Sequence, residues 1–363
     1  MPARVDDLRV STYVVPTEAP ESDGTFEWMR TTMVLVQLRS GSVTGLGYTY
    51  ADHATAVFIG EHLRDVVVGQ DAMQPQRLWD AMRHAIRNVG RPGVASMAMA
   101  AVDCAIWDLK ARLLNIPLVT LLGARRDAVP LYGSGGFTSY PERELAAQMR
   151  RWIDSGLTMV KMKVGRDPAV DVQRVRIVRD AIGRDAELFV DANGAYTPRE
   201  AIGQGERFAD AGVTWFEEPV SSDDLAGLAR VRRHLGDRMD IAAGEYGYDL
   251  VYFQRMLDAH AVDVIQADVT RCAGITELLR VAALCETRNV PLSLHTAPAL
   301  HLHVACAVER VRHLEYFFDH ERIERMFFDG FPVPVAGALA PDIFRPGNGL
   351  LFRERDAERF LLR

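Results

Sequence analysis

The sequence predicts an α/β protein, a closed βα barrel preceded by a smaller α+β domain. Three observations carry that reading. The chain has 363 residues, more than one ordinary small domain needs. From about residue 128, short apolar runs alternate with helix-like stretches eight times, the rhythm of a parallel sheet with crossover helices. Each run from the second onward ends in an ionisable residue. An open doubly wound sheet is the structural alternative.

The first third reads as mixed. TTMVLVQLRS and GLGYTYAD form strands with a glycine-containing turn between them. Residues 52–68 and 71–90 read as helices, and residues 16–30, with Pro, Glu, Gly and Ser, as a loop. The stretch from Ser96 to Leu114 is a strong buried helix that stops before Asn115-Ile116-Pro117. The barrel runs follow in order: AVPLYGSG, TMVKMKVG, ELFVDANG, VTWFEEPV, MDIAAGE, VDVIQADV, VPLSLHT and HLEYF. Residues 326–363 break the rhythm. The expected division is a domain over 1–125, a barrel over 126–325 and a C-terminal segment over 326–363.

Composition narrows the function. With 42 basic and 49 acidic residues the formal charge is −7, which argues against nucleic acid or an anionic membrane as partner. No run approaches the roughly 18 apolar residues of a membrane span. The start, MPARVDDLRV, lacks the apolar stretch of a secretory signal. Four cysteines without a C-x-x-C pair suit reduced thiols, so the expected location is cytoplasmic. Only three of the basic residues are lysines: Lys110, Lys161 and Lys163. Arginine stays protonated, whereas a lysine in a tuned environment can act as a base. Lys110 reads as a solvated helix residue. Lys161 and Lys163 lie two apart on a strand and face one side.

Run two ends with that pair, run three with Asp191, run four with Glu217 and Glu218, and run five with Glu245. Run six ends with Asp268, run seven with His295 and run eight with Glu315. From Lys163 the steps are 28, 26, 28, 23, 27 and 20 residues, about one βα unit each. The C-terminal ends of barrel strands converge on one mouth, so these groups are expected to share a pocket. Polar turn residues explain one or two such ends but not seven in succession. Asp191, Glu217 and Glu245 offer three hard oxygen donors, which suits Mg²⁺ rather than zinc. Lys161 is expected to depress the ammonium pKa of Lys163, and Asp268 to orient His295. Glu315 can donate a hydrogen bond to a substrate oxygen. Such a site can remove the proton beside a carboxylate and stabilise the ene-diolate.

The motifs KMK (161–163), DANG (191–194), WFEEP (215–219), AAGE (242–245), Asp268 with His295, and HLE (313–315) resemble those of the enolase superfamily, within it the mandelate racemase subgroup. The resemblance covers nearly the whole chain. It implies a modified TIM barrel of the enolase type with an N-terminal α+β capping domain, to which the tail returns. It implies Asp191, Glu217 and Glu245 as Mg²⁺ ligands and Lys163 and His295 as acid/base catalysts, with Lys161 and Asp268 tuning them and Glu315 as electrophilic donor. No metal role passes to Glu218. The activity implied is dehydration of a sugar acid to a 2-keto-3-deoxy acid, of gluconate-like type from the segment following His295. A racemase of a 2-hydroxy acid such as mandelate is the alternative. A catalytically silent acid-binding protein and a metal-dependent hydrolase are the readings from other classes. The resemblance also implies a homo-oligomer, dimer or octamer, with a small-molecule carboxylate as partner.

Substrate contacts are expected from Ser134 after the first run, from Asn193, and from a capping loop over Thr17–Trp28. There Glu18 and Glu27 suit a polyol, while Phe26 and Trp28 suit an aromatic ring or anchor the loop. Tyr48, Tyr50 and His53 carry the same ambiguity. His301-Leu-His303 falls in a helix, where i and i+2 point apart, and reads as structural. His320-Glu321 fails as H-E-x-x-H because Glu324 stands where the second histidine belongs.

Overall fold

The computed structural model describes residues 3–363. Strands β1 (Asp7–Ser22), β2 (Glu27–Ser40) and β3 (Val43–Tyr50) form an antiparallel sheet in that order. The long helix Val94–Leu113 lies on it. Gly45 and Gly47 allow that approach: a Cβ at either would collide with the backbone of Leu109 or Ala101. The helix is buried for most of its length and ends before Asn115, whose positive φ of 54° turns the chain away.

The 16–30 stretch is not the loop expected. Both strands continue through it as a hairpin, with a register shift between Pro16 and Glu21 and pairing restored at Glu21–Trp28. Its Pro and Glu residues are tolerated because β1 is an edge strand. Only the tip turns, where Asp23 Oδ1 accepts from the backbone N–H of Thr25 at 2.6 Å and of Phe26 at 2.7 Å. The strand over Asp7–Pro16 escaped the sequence pattern altogether.

The barrel strands are β4 (Val129–Gly135), β5 (Met159–Lys163), β6 (Glu187–Asp191), β7 (Val213–Glu217), β8 (Asp240–Ala243), β9 (Val264–Ala267), β10 (Leu292–Leu294) and β11 (Val311–Phe317). Each pairs in parallel with the next, and β11 pairs with β4, closing the cylinder. The strands are buried on both sides, which is why they read as nearly continuous apolar runs. Tyr132, Phe189, Trp215, Ala242 and Val264 fill the interior.

The helices between strands have sharp starts. Thr197 and Glu200 form a capping box ahead of Pro198–Asp210, and Asp224 and Asp249 cap the helices that follow them. The helix Ile275–Arg288 receives its cap from the first domain: Asp103 accepts from Thr276 N at 2.8 Å and from Thr276 Oγ1 at 2.7 Å.

After the helix Phe318–Phe327 the tail laces the two parts together. Ala338–Leu339 pairs with the start of β4, and Leu362 N donates to Thr12 O at 2.9 Å. No helix among the described residues is long and apolar enough to cross a membrane.

His301 and His303 are wired as neutral rings in opposite tautomers. His301 Nε2 accepts from Val269 N at 2.8 Å while Nδ1 donates to Thr296 O at 2.8 Å. His303 Nδ1 accepts from Val119 N at 3.1 Å while Nε2 donates to Asn348 O at 3.0 Å. Burial lowers the pKa of His303 to about 4. The unfolded chain, with an ordinary histidine pKa near 6.5, therefore binds more protons between about pH 6.5 and 4. Stability is expected to fall as pH drops through that window. His303→Gln should flatten the slope by up to about 1.4 kcal/mol per pH unit. Urea unfolding at pH 7, 6 and 5 measures it; an unchanged slope would refute the assignment.

Candidate active site

The parallel register aligns the site. Lys163 on β5 pairs with Asp191 on β6, and Asp191 pairs with Glu217 on β7. Glu245 follows β8 by two residues. One oxygen from each of Asp191, Glu217 and Glu245 lies within 4.8 Å of the others, and all three residues are buried. Lys163 Nζ donates to Asp191 Oδ2 at 2.6 Å. Lys161 Nζ donates to Glu217 Oε1 and lies 2.8 Å from Glu315 Oε1 and 3.4 Å from Asp191 Oδ2. Asn193 N donates to Asp191 Oδ1 at 2.9 Å, and Trp215 Nε1 to Glu217 Oε2 at 3.0 Å.

On the other side, His295 Nδ1 meets Asp268 Oδ2 at 2.8 Å. The second Asp268 oxygen accepts from Thr270 N and Oγ1, both at 2.7 Å. Asp268 is thereby held as an anion, so His295 Nδ1 carries the proton and Nε2 faces Glu245 Oε2 at 3.3 Å and Glu315 Oε2 at 3.7 Å. Burial opposes the imidazolium, but Glu245 and Glu315 outweigh it and raise the pKa of His295 to about 10.

Two electrostatic expectations are corrected. Burial and Lys161 do pull the Lys163 ammonium down, but Asp191 in direct contact outweighs them, and the net shift is upward. Glu315 was expected to donate. Burial would raise its pKa, yet Lys161 and His295 hold it below the ordinary range. As an anion it accepts, from Thr296 N at 3.1 Å.

The donor set fits a hard divalent cation. Burial, and next the Asp191 charge, push Glu217 up to about 8, which marks a carboxylate cluster short of positive charge even with two lysines beside it. Three carboxylates from successive strands, with no thiolate or imidazole among them, suit Mg²⁺. Glu218 stays outside the triad. It is buried in a left-handed conformation with φ 38°, and its Oε1 has no hydrogen-bond partner.

Lys163, Glu245, His295 and Glu315 open onto one cavity of about 310 Å³, together with Asn193, Trp28 and Tyr50. Two expected contacts are not brought there. Glu18 is exposed on the edge strand. Ser134 is fully buried with Lys161 as its register partner, one layer below Lys163. His53 turns to Thr12 Oγ1 at 2.9 Å, and Tyr48 is buried.

Sequence reasoning missed Arg271 and His320, which also line the cavity. Arg271 NH1 donates to Glu245 Oε1 at 3.0 Å, and its guanidinium lies over the Tyr246 ring. The His320 ring stacks on Tyr50, with centroids 3.4 Å apart and planes at 11°. Arg271's place three residues after Asp268 was the available signal.

The fold and this constellation define an enolase-type barrel with a capping domain. Comparison with known proteins agrees. The mandelate racemase/muconate lactonizing enzyme N-terminal domain matches residues 10–123, and the enolase C-terminal domain-like family matches residues 144–356. The chain belongs to the mandelate racemase/muconate lactonizing enzyme group of the enolase superfamily. It is 34% identical over 355 residues, 96% of each chain, to the 3,6-anhydro-α-L-galactonate cycloisomerase of Streptomyces coelicolor. To the L-talarate/galactarate dehydratase of Salmonella typhimurium it is 29% identical, over 86% of this chain and 81% of that one. Among solved structures, a mandelate racemase/muconate lactonizing enzyme-like protein from Rubrobacter xylanophilus superposes with a TM-score of 0.97 at 50% identity, covering 99% of this chain and 100% of that one. A Streptomyces coelicolor racemase with bound magnesium superposes with a TM-score of 0.93 at 31% identity, over 99% and 100%.

Mg²⁺ is expected to raise the thermal midpoint, by the equivalent of about 2.7 kcal/mol at a hundredfold excess over Kd. Glu245→Gln should remove most of that shift. A melting curve of the unmodified protein indifferent to Mg²⁺ would contradict the triad as a cation site.

Proposed function

We propose that this protein is a Mg²⁺-dependent dehydratase of sugar acids, removing the proton α to the carboxylate and the hydroxyl at the β carbon. The observation that carries this reading is the cavity on which Lys163 and His295 both open beside the carboxylate triad. The lining offers polar groups that suit a polyol, Asn193, Thr32 and Arg30, beside the rings of Trp28, Tyr50 and Phe317. The dehydratases among the relatives lend the reading support.

Asp191, Glu217 and Glu245 would hold Mg²⁺, which would supply a Lewis acid to offset charge developing on the substrate carboxylate. Lys163 takes the α-proton at Nζ. It must first be neutral, and any charge drawn from Asp191 loosens the contact that keeps it protonated. Lys161 keeps the base of the site electrically balanced through Glu217 and Glu315. His295, fixed by Asp268, delivers the proton on Nε2 to the departing β-hydroxyl, which leaves as water. The resulting enol gives up its O–H proton and takes one at the β carbon to become a 2-keto-3-deoxy acid, so the net change is loss of one water.

The test is proton NMR in D₂O with Mg²⁺ and a panel of C4–C6 aldonic and aldaric acids plus mandelate. The expected result is loss of an α-proton signal with appearance of a 2-keto-3-deoxy product. Exchange or inversion without elimination would replace the reading with a racemase. Lys163→Ala and His295→Asn should each cost about 10²–10⁴-fold in kcat without loss of folding. Undiminished turnover in both would sink the mechanism.

A further inference from the structure

The reacting end of a substrate is fixed by the barrel floor, where the triad, Lys163, His295 and Glu315 lie. Its far end then faces the wall contributed by the capping domain. One donor on that wall, and one on the barrel helix Phe318–Phe327 beside it, stand without a protein acceptor.

The first is Arg30. It lines the cavity from β2, on the same strand face as Trp28 and Thr32. Every other cation lining the cavity is engaged: Lys163 by Asp191, Arg271 by Glu245, and His295 by Asp268. Arg30 makes no ion pair with any described residue. The second is His320. Its Nδ1 accepts from Ala297 N at 3.3 Å, so the proton of the neutral ring sits on Nε2, which has no protein partner. Tyr50 stacked on one face and Phe317 edge-on at 5.1 Å hold the ring in place.

Arg30 and His320 line the same cavity. The residues beside them, Thr31 and Asp319, are joined by a hydrogen bond from Thr31 Oγ1 to Asp319 Oδ2. Arg322 reaches Pro16 O, on the residue paired with Arg30, at 2.9 Å. Of the acids around this wall, Asp23 also lines the cavity, with its Oδ1 taken by the backbone N–H groups of Thr25 and Phe26. Asp319 is paired with Arg322 at 2.8 Å. Glu21, which accepts from Trp28 Nε1 at 2.9 Å, has its pKa raised to about 9 by burial and by Asp319, so it is neutral at pH 7.

We propose that Arg30 and His320 together bind a second carboxylate at the far end of the substrate, which makes the substrate a polyhydroxy dicarboxylic acid, an aldaric rather than an aldonic acid. This rests on the dehydratase reading for which end reacts. It departs from the gluconate-like substrate that the sequence suggested. A planar fork with free donors matches a carboxylate, whereas the terminal CH₂OH of an aldonic acid would leave the guanidinium without a counter-charge.

The experiment is calorimetric binding to the Mg²⁺-loaded full chain carrying Lys163→Ala, which separates binding from turnover. The probes are matched pairs differing only at the terminal carbon: D-gluconate and D-glucarate, D-galactonate and galactarate, D-mannonate and D-mannarate. In at least one pair the dicarboxylate should bind about tenfold tighter or more, as one added charged hydrogen bond gives. Adding Arg30→Gln, or Arg30→Met, should collapse that ratio toward one. Equal binding within every pair, a ratio untouched by the Arg30 variants, or no binding by any probe would overturn the proposal. Turnover of the same pairs by the unmodified protein separates the two claims. Elimination without preference for dicarboxylates leaves the dehydratase reading and removes this one. Preferential dicarboxylate binding without α-proton exchange or elimination does the reverse.

Discussion

The structure is organised around one buried ammonium. Lys161 is fully buried and within reach of Asp191, Glu217 and Glu315, which belong to three different strands. Burying a charge costs several kcal/mol, and the cost is offset only when opposite charges with good geometry surround it. Closure of the barrel supplies that geometry, because β11, which carries Glu315, must return to β4 beside β5. An open sheet would leave Glu315 far from Lys161 and three carboxylates facing too little positive charge. The closed topology and the charge cluster therefore require each other.

Beneath the cluster the barrel is closely packed and aromatic. Phe189 stacks on Trp215 with centroids 5.3 Å apart, and His313 packs against Tyr132 and Trp215. That buried layer lowers the local dielectric and so strengthens the interactions above it. It also joins the site directly, since the Trp215 indole donates to Glu217. His313 stays neutral there, with burial carrying its pKa to about 3. A charged imidazole at that depth would compete with Lys161 for the same carboxylates.

Much of this was legible in the sequence for a simple reason. Parallel barrel strands buried on both sides appear as apolar runs, and their C-terminal ends are where the fold tolerates ionisable groups. Lys161, Lys163, Asp191, Glu217, Glu245, Asp268, His295 and Glu315 all stand at such ends. What escaped was fixed by register and by turns. Ser134 ends a strand too, but its pairing with Lys161 places it a layer too deep. Arg271 reaches the cavity only because the turn after β9 is wound around Asp268. His320 lies one helical turn past β11, and its orientation depends on Tyr50 from the other domain. The strand over Asp7–Pro16 and the hairpin's continuation through 16–30 escaped because an edge strand with Pro16 has no clean alternation, and its partner alone defines it.

The capping domain does more than roof the cavity, because its contacts run into the support of His295. Thr49 on β3 donates to Thr270 O at 2.8 Å, and Trp79 Nε1 donates to Ala273 O at 2.9 Å. Thr270 in turn holds Asp268, and Asp268 holds His295. A hydrogen-bonded path thus runs from the cap sheet to the imidazole through the turn that also presents Arg271. Asp103 clamps the far side of that turn through Thr276, whose hydroxyl accepts in turn from Trp107 Nε1 at 2.9 Å. The cap that carries Arg30 and Trp28 cannot shift without moving the support of His295. The placement of Arg30 and the placement of His295 are set by the same interface.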